Sequence, residues 1–149
     1  MKPKVFHIIL FLVLYLFISL CYSEVHKVKR VIDGDTLLLT NGERVRLIGV
    51  DTPETKHPQK PVQKFGKEAY LFTKRMVEGK EVRLDYDWQK KDKYGRILAY
   101  IYLTDGTFLN AEIIRQGYGF AYTRFPFKFL EEFRVYEREA REKRKGLWK

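Results

Sequence analysis

The chain has 149 residues, 29 of them Lys or Arg and 19 Asp or Glu, and its formal charge of +10 favours an anionic partner, nucleic acid first. Solubility or proximity to an anionic membrane would account for the charge equally well. Beyond Ser23 there is no Cys and no Ser, and the histidines are His26 and His57 alone, so a disulfide framework, a His-activated Ser or Cys nucleophile and a Cys/His zinc site are all excluded.

Residues 1–23, MKPKVFHIILFLVLYLFISLCYS, set two lysines before an apolar run over 5–20 and read as a secretory signal, with an uncleaved membrane anchor as the alternative. The run is short for a membrane span. Leu20 stands where a lipoprotein signal has a small residue, which disfavours lipidation of Cys21. Cleavage after Ser23 leaves one domain over 24–149 with a charge of +8, placed outside the cell or in its envelope.

Strands are predicted over 24–32, 36–39 and 44–50, the last two joined at Asn41-Gly42 as a hairpin with a type I′ turn. Residues 51–64 hold Pro53, Pro58 and Pro61 and read as a functional loop. Phe65, Ala69, Phe72 and Met76 recur at helical spacing before a stop at Gly79. Strands over 81–86 and 97–103 flank the polar loop WQKKDKYGR, and a short helix covers 109–116. A last helix carries Phe129, Phe133, Tyr136 and Ala140 on one face and its arginines mostly elsewhere. Together these elements describe an α+β chain, an antiparallel OB-type barrel of about five strands with helices added.

Two acidic clusters carry the chemistry: Asp33-Gly34-Asp35-Thr36 and Asp51-Thr52-Pro53-Glu54. Asp-Gly alone is a common turn signal. The hairpin between the clusters, however, brings the end of the second strand back to the start of the first, so four carboxyl groups converge. Such groups repel unless a cation sits among them, and oxygen-only ligands suit Ca²⁺ or Mg²⁺. Arg46 and Arg96 can hold phosphate oxygens, and Glu54 can take a proton from water. Taken singly, Arg46 reads equally as a solvated strand arginine and Arg96 as one half of a loop salt bridge.

VIDGDT, VRLIGVDTPETKHP, DKYGR, AYIY and RQG, in this order, resemble the staphylococcal nuclease (thermonuclease) family over nearly all of 24–149. The resemblance implies an SNase-like OB barrel with three helices, Ca²⁺ as cofactor, and cleavage of DNA and RNA to 3′-phosphate ends. It implies Asp35, Asp51 and the Thr52 carbonyl as metal ligands, Asp33 as an acid near the metal, Glu54 as general base and Arg46 and Arg96 as phosphate-binding arginines. Lys93, Tyr94 and Tyr122 match residues that line the nucleotide pocket. Arg124 stands where the family usually has a second tyrosine, and an arginine plane there can still stack on a base. The segment 117–125 is one residue shorter than the family form.

A monomeric, secreted nuclease is therefore expected. The alternative is a non-catalytic nucleic-acid-binding module of the same barrel, which has no need for Asp35, Arg46, Asp51, Glu54 and Arg96 together.

Overall fold

The computed structural model describes residues 24–55 and 63–149. The predicted signal over 1–23, and the part of the proline loop holding His57, Pro58 and Pro61, lie outside the described residues. Among the described residues no helix is long and apolar enough to cross a membrane.

Alternation of apolar and charged residues builds β1 (Val25–Asp33) and β3 (Arg44–Leu47), and the β-prone run TLLL builds β2 (Thr36–Leu39) between them. Val28 and Val31 in β1, although three apart, are both buried, because the register against β2 shifts at bulges between Val28 and Arg30 and between Val31 and Asp33. After helix α1 (Gly66–Val77) come β5 (Glu81–Asp85) and β6 (Ile97–Leu103), and the five strands close a barrel in the order β1-β2-β3-β6-β5. Two further helices, α2 (Leu109–Arg115) and α3 (Leu130–Glu142), complete the expected set of three.

Three local readings are corrected. β3 pairs with β6 in parallel, Val45 against Ile97 and Leu47 against Ala99, so the barrel is mixed where antiparallel pairing was expected throughout. The β2–β3 turn is a three-residue loop: Leu39 N donates to Glu43 O and only Gly42, at φ 89°, is left-handed, whereas a type I′ turn needs two such residues. The strand predicted over 44–50 breaks after Leu47, because Gly49 turns the chain at φ 72° and Val50–Asp51 leaves the barrel as β4. There it pairs with β7 (Phe120–Ala121), Asp51 opposite Phe120, which couples the acidic loop to the segment after α2.

Leu37, Leu39, Val45, Leu47, Val82 and Ile101 fill the barrel interior, and Phe133 of α3 joins the same core. Asn110 of α2 is fully buried among these apolar groups and makes three bonds: its amide donates to Ile48 O (2.9 Å) and Ala99 O (3.2 Å), and its Oδ1 accepts from Ile101 N (2.9 Å). It therefore ties α2 to β6 and to the kink that starts β4. On α3, Phe133 and Ala140 are buried, while Arg134 forms an exposed ion pair with Glu131 (2.9 Å) and Arg141 pairs with the half-buried Glu137 (3.5 Å).

Candidate active site

Antiparallel pairing of Thr36 with Arg46 sets Arg46 beside the turn that carries Asp35. Asp35 is buried, its Oδ1 accepting from Thr36 Oγ1 (3.0 Å) and its Oδ2 from the Thr52 backbone N–H (2.9 Å). One carboxylate thus joins the two acidic loops. Gly34 is required by the closeness of that junction, since a Cβ there would fall 2.6 Å from Thr52 Oγ1. From below, Thr73 of α1 donates its hydroxyl to Gly34 O at 2.6 Å and holds the turn.

Nη2 of Arg46 lies 3.2 Å from Asp35 Oδ2 and 3.3 Å from Asp51 Oδ1, while Nη1 donates to Val50 O and, at 3.1 Å, to Leu47 O. Two carboxylates, one from the turn before β2 and one from β4, therefore converge on a single cationic nitrogen. Burial, then the charge of Asp35, pushes the Asp51 carboxyl above its ordinary range, with Arg46 pulling it back. Asp33 is also raised, by burial first and then by its interaction with Glu54, against bonds from Thr55 and the Gly34 N–H. Glu54 itself is set by an exchange with Gln63, whose Oε1 accepts from Glu54 N (2.8 Å) and whose N donates to Glu54 O (3.0 Å). Asp33 thus interacts with Glu54, and Asp51 with Asp35 and Asp33.

Asp92 arranges the second arginine. It accepts from Arg96 Nε at 2.7 Å and from the backbone N–H groups of Arg96 (3.0 Å) and Tyr94 (2.9 Å), closing the DKYGR turn on itself. Lys93 Nζ and Arg96 Cζ lie 5.1 and 5.4 Å from the centre of the exposed Tyr94 ring. Arg46, Asp51, Lys93, Tyr94, Arg96, Tyr122 and Arg124 all line one cleft of about 620 Å³. Asp35 and Thr52 stand behind its wall, holding Arg46 and the acidic loop in place.

A protein-family model described as staphylococcal nuclease homologue matches residues 44–149. The chain belongs to this family. It is 42% identical to the thermonuclease of Staphylococcus hyicus over 130 residues, covering 85% of this chain and 76% of that protein. It is 44% identical to the thermonuclease of Staphylococcus intermedius over 133 residues, 85% and 77% of the two chains, and 38% identical over 125 residues to endonuclease YncB of Bacillus subtilis, 80% and 59%. A nuclease acting on nucleic acid is the activity this staphylococcal nuclease homologue shares with these relatives.

Among the described residues of this family member no three His, Cys, Asp or Glu side chains are grouped so as to hold a metal ion. Two carboxylates with a backbone carbonyl make a smaller, oxygen-only donor set, and the meeting of Asp35 and Asp51 on Arg46 Nη2 shows that their oxygens can face one cation. Those residues fit a hard divalent ion. Three positioning residues escaped the sequence reading. Asp92 lay inside a motif already singled out, Thr73 was the one polar residue on the buried face of α1, and Asn110 carried no local signal, since its partners are distant backbone groups.

Proposed function

We propose that this protein is a secreted or envelope-located, monomeric, Ca²⁺-dependent nuclease that cleaves DNA, and RNA as well, to leave 3′-phosphate ends. The observation that carries this reading is the junction of Asp35, Arg46 and Asp51: both acids lie within 3.3 Å of one guanidinium nitrogen of Arg46, at the edge of a cleft that also presents Arg96. Asp35, Asp51 and the Thr52 carbonyl would hold Ca²⁺, which supplies positive charge to offset that of the phosphodiester. Asp33 stays close by as an acid outside the ligand set.

Arg46 and Arg96 hold the phosphoryl oxygens and stabilise the charge that grows on them during attack. To do so Arg46 exchanges one carboxylate for phosphate, while Asp92 keeps Arg96 aimed. Glu54 takes a proton from the attacking water, whose oxygen bonds to phosphorus as the bond to the 5′ oxygen breaks and that oxygen, taking a proton from solvent, leaves as a hydroxyl. Lys93, Tyr94, Tyr122 and Arg124 receive the nucleotide, with the Arg124 plane in place of a tyrosine ring.

Digestion of single-stranded DNA by the purified protein, with Ca²⁺ or with chelator, tests the proposal. Oligonucleotides are expected to shorten only with Ca²⁺. A gel shift with Ca²⁺ supplied but no shortening would make the protein a binding module instead.

A further inference from the structure

Among the described residues, Tyr86, Trp88, Tyr94 and Phe125 are the exposed large aromatics, and all but Tyr86 line the cleft. Trp88 is 69% exposed, and no ring or cation among the described residues stacks on its faces. Trp148 is treated differently: Arg141 Cζ sits 4.0 Å from its ring centre and Phe120 meets it edge-on at 5.4 Å.

Trp88 is nevertheless held in place. Its Nε1–H donates to Pro126 O at 3.2 Å, across 38 residues of sequence, so the one polar atom of the ring is satisfied. Its backbone N–H donates to Asp87 Oδ1 at 2.8 Å, and Asp87 Oδ2 accepts from Lys128 N at 2.8 Å and from the hydroxyl of the fully buried Tyr100. The indole is thus anchored through Asp87 to a barrel strand while its faces stay uncovered. An exposed aromatic face costs solvation free energy, and rigidity lowers the entropy lost when something stacks on it.

We propose that Trp88 is a base-stacking platform that takes a further base of a single-stranded nucleic acid, beyond the nucleotide received by Tyr94, Arg96 and Tyr122. Its neighbours suit that ligand. Lys90, Lys91 and Lys93 follow it in the same loop, and Arg124 and Lys128 lie in the facing segment, so an aromatic surface is set among cations that can track a phosphate backbone. Phe125, 59% exposed and beside Arg124, extends the surface. The inference rests on the nuclease reading above and lengthens its substrate site.

The test uses the full chain carrying Glu54→Gln, with Ca²⁺ supplied, and measures the Kd of thymidine monophosphate and of an octathymidylate with Trp88 intact, Trp88→Ala and Trp88→Phe. Trp88→Ala is expected to weaken octamer binding roughly tenfold and mononucleotide binding by less than about twofold, with Trp88→Phe restoring most of the octamer affinity. An octamer Kd indifferent to Trp88→Ala overturns the platform, as does an equal loss for both ligands, which would mark a structural role. Indole emission that shifts on anionic lipid vesicles but not on the octamer also overturns it, in favour of a membrane contact. Failure of the nuclease reading looks different: the unsubstituted protein would then leave DNA uncut in Ca²⁺, whatever Trp88 does.

Discussion

The two halves of the cleft are built on opposite plans. On the acidic side, Asp35 and Thr52 are buried, and the carboxylate of Asp35, in the turn before β2, holds a backbone N–H of the loop after β4 at 2.9 Å. On the basic side, Lys93, Tyr94, Arg124 and Phe125 are exposed and joined mostly by ring and cation contacts of 5 to 6 Å. Reacting groups must be placed to within fractions of an ångström, whereas bases differ in shape and are best met by surfaces that stack on any of them. On the proposed function, the metal-binding acids sit where the barrel fixes them, and substrate reading sits where side chains can adapt.

Removing a reacting group should separate the halves most sharply. Glu54→Gln is expected to lower the single-turnover cleavage rate by about 10²–10⁴-fold, the range of general-base catalysis, while oligonucleotide affinity holds. A parallel loss of affinity would show that the two sides are not independent. Asn110→Ala probes the scaffold beneath them. It strands Ile101 N–H and two carbonyls in the core and is expected to destabilise the fold by about 2–3 kcal/mol in denaturant unfolding, with the activity of the folded fraction retained.

Asp92→Asn tests whether the adaptable side also needs one fixed point. Loosening Arg96 should lower kcat/KM by roughly tenfold, equivalent to about 1.4 kcal/mol of transition-state stabilisation. The same variant has a pH signature. Burial acts to raise the Asp92 carboxyl, but bonds from the Arg96 side chain and the backbone N–H groups of Arg96 and Tyr94 outweigh it and leave it below the usual 3.8. Its stabilising effect is therefore present above that value and is lost as pH falls through the lower folded value. The variant should show a flatter decline of stability below about pH 4 than the native protein in acid titration. Smallest of all, Ca²⁺ with a nucleotide should raise Tm by a few degrees through linkage, and no rise at any nucleotide concentration would count against the acidic pocket as the metal site.

Much of this was legible in the sequence because it is local. Asp-Gly-Asp, the acids around Pro53 and the DKYGR turn are short motifs, and alternation or a β-prone run marked each barrel strand. Readings failed where the deciding partner was remote. The parallel pairing of β3 with β6 joins residues about fifty apart, and the break after Leu47 depends on β7 offering Val50–Asp51 a partner. The bonds of Arg46 to Asp35 and Asp51 were likewise out of reach of the sequence, because they form only when the hairpin closes in three dimensions. Trp88 passed as part of a polar loop because exposure cannot be read from sequence.

The most direct measurement is end-group analysis of oligonucleotides digested with Ca²⁺ supplied. The proposed attack by a Glu54-activated water yields fragments ending in 3′-phosphate and beginning with 5′-hydroxyl, formed by the native protein and lost with chelator. Fragments bearing 5′-phosphate, or DNA that stays bound and intact, would contradict it.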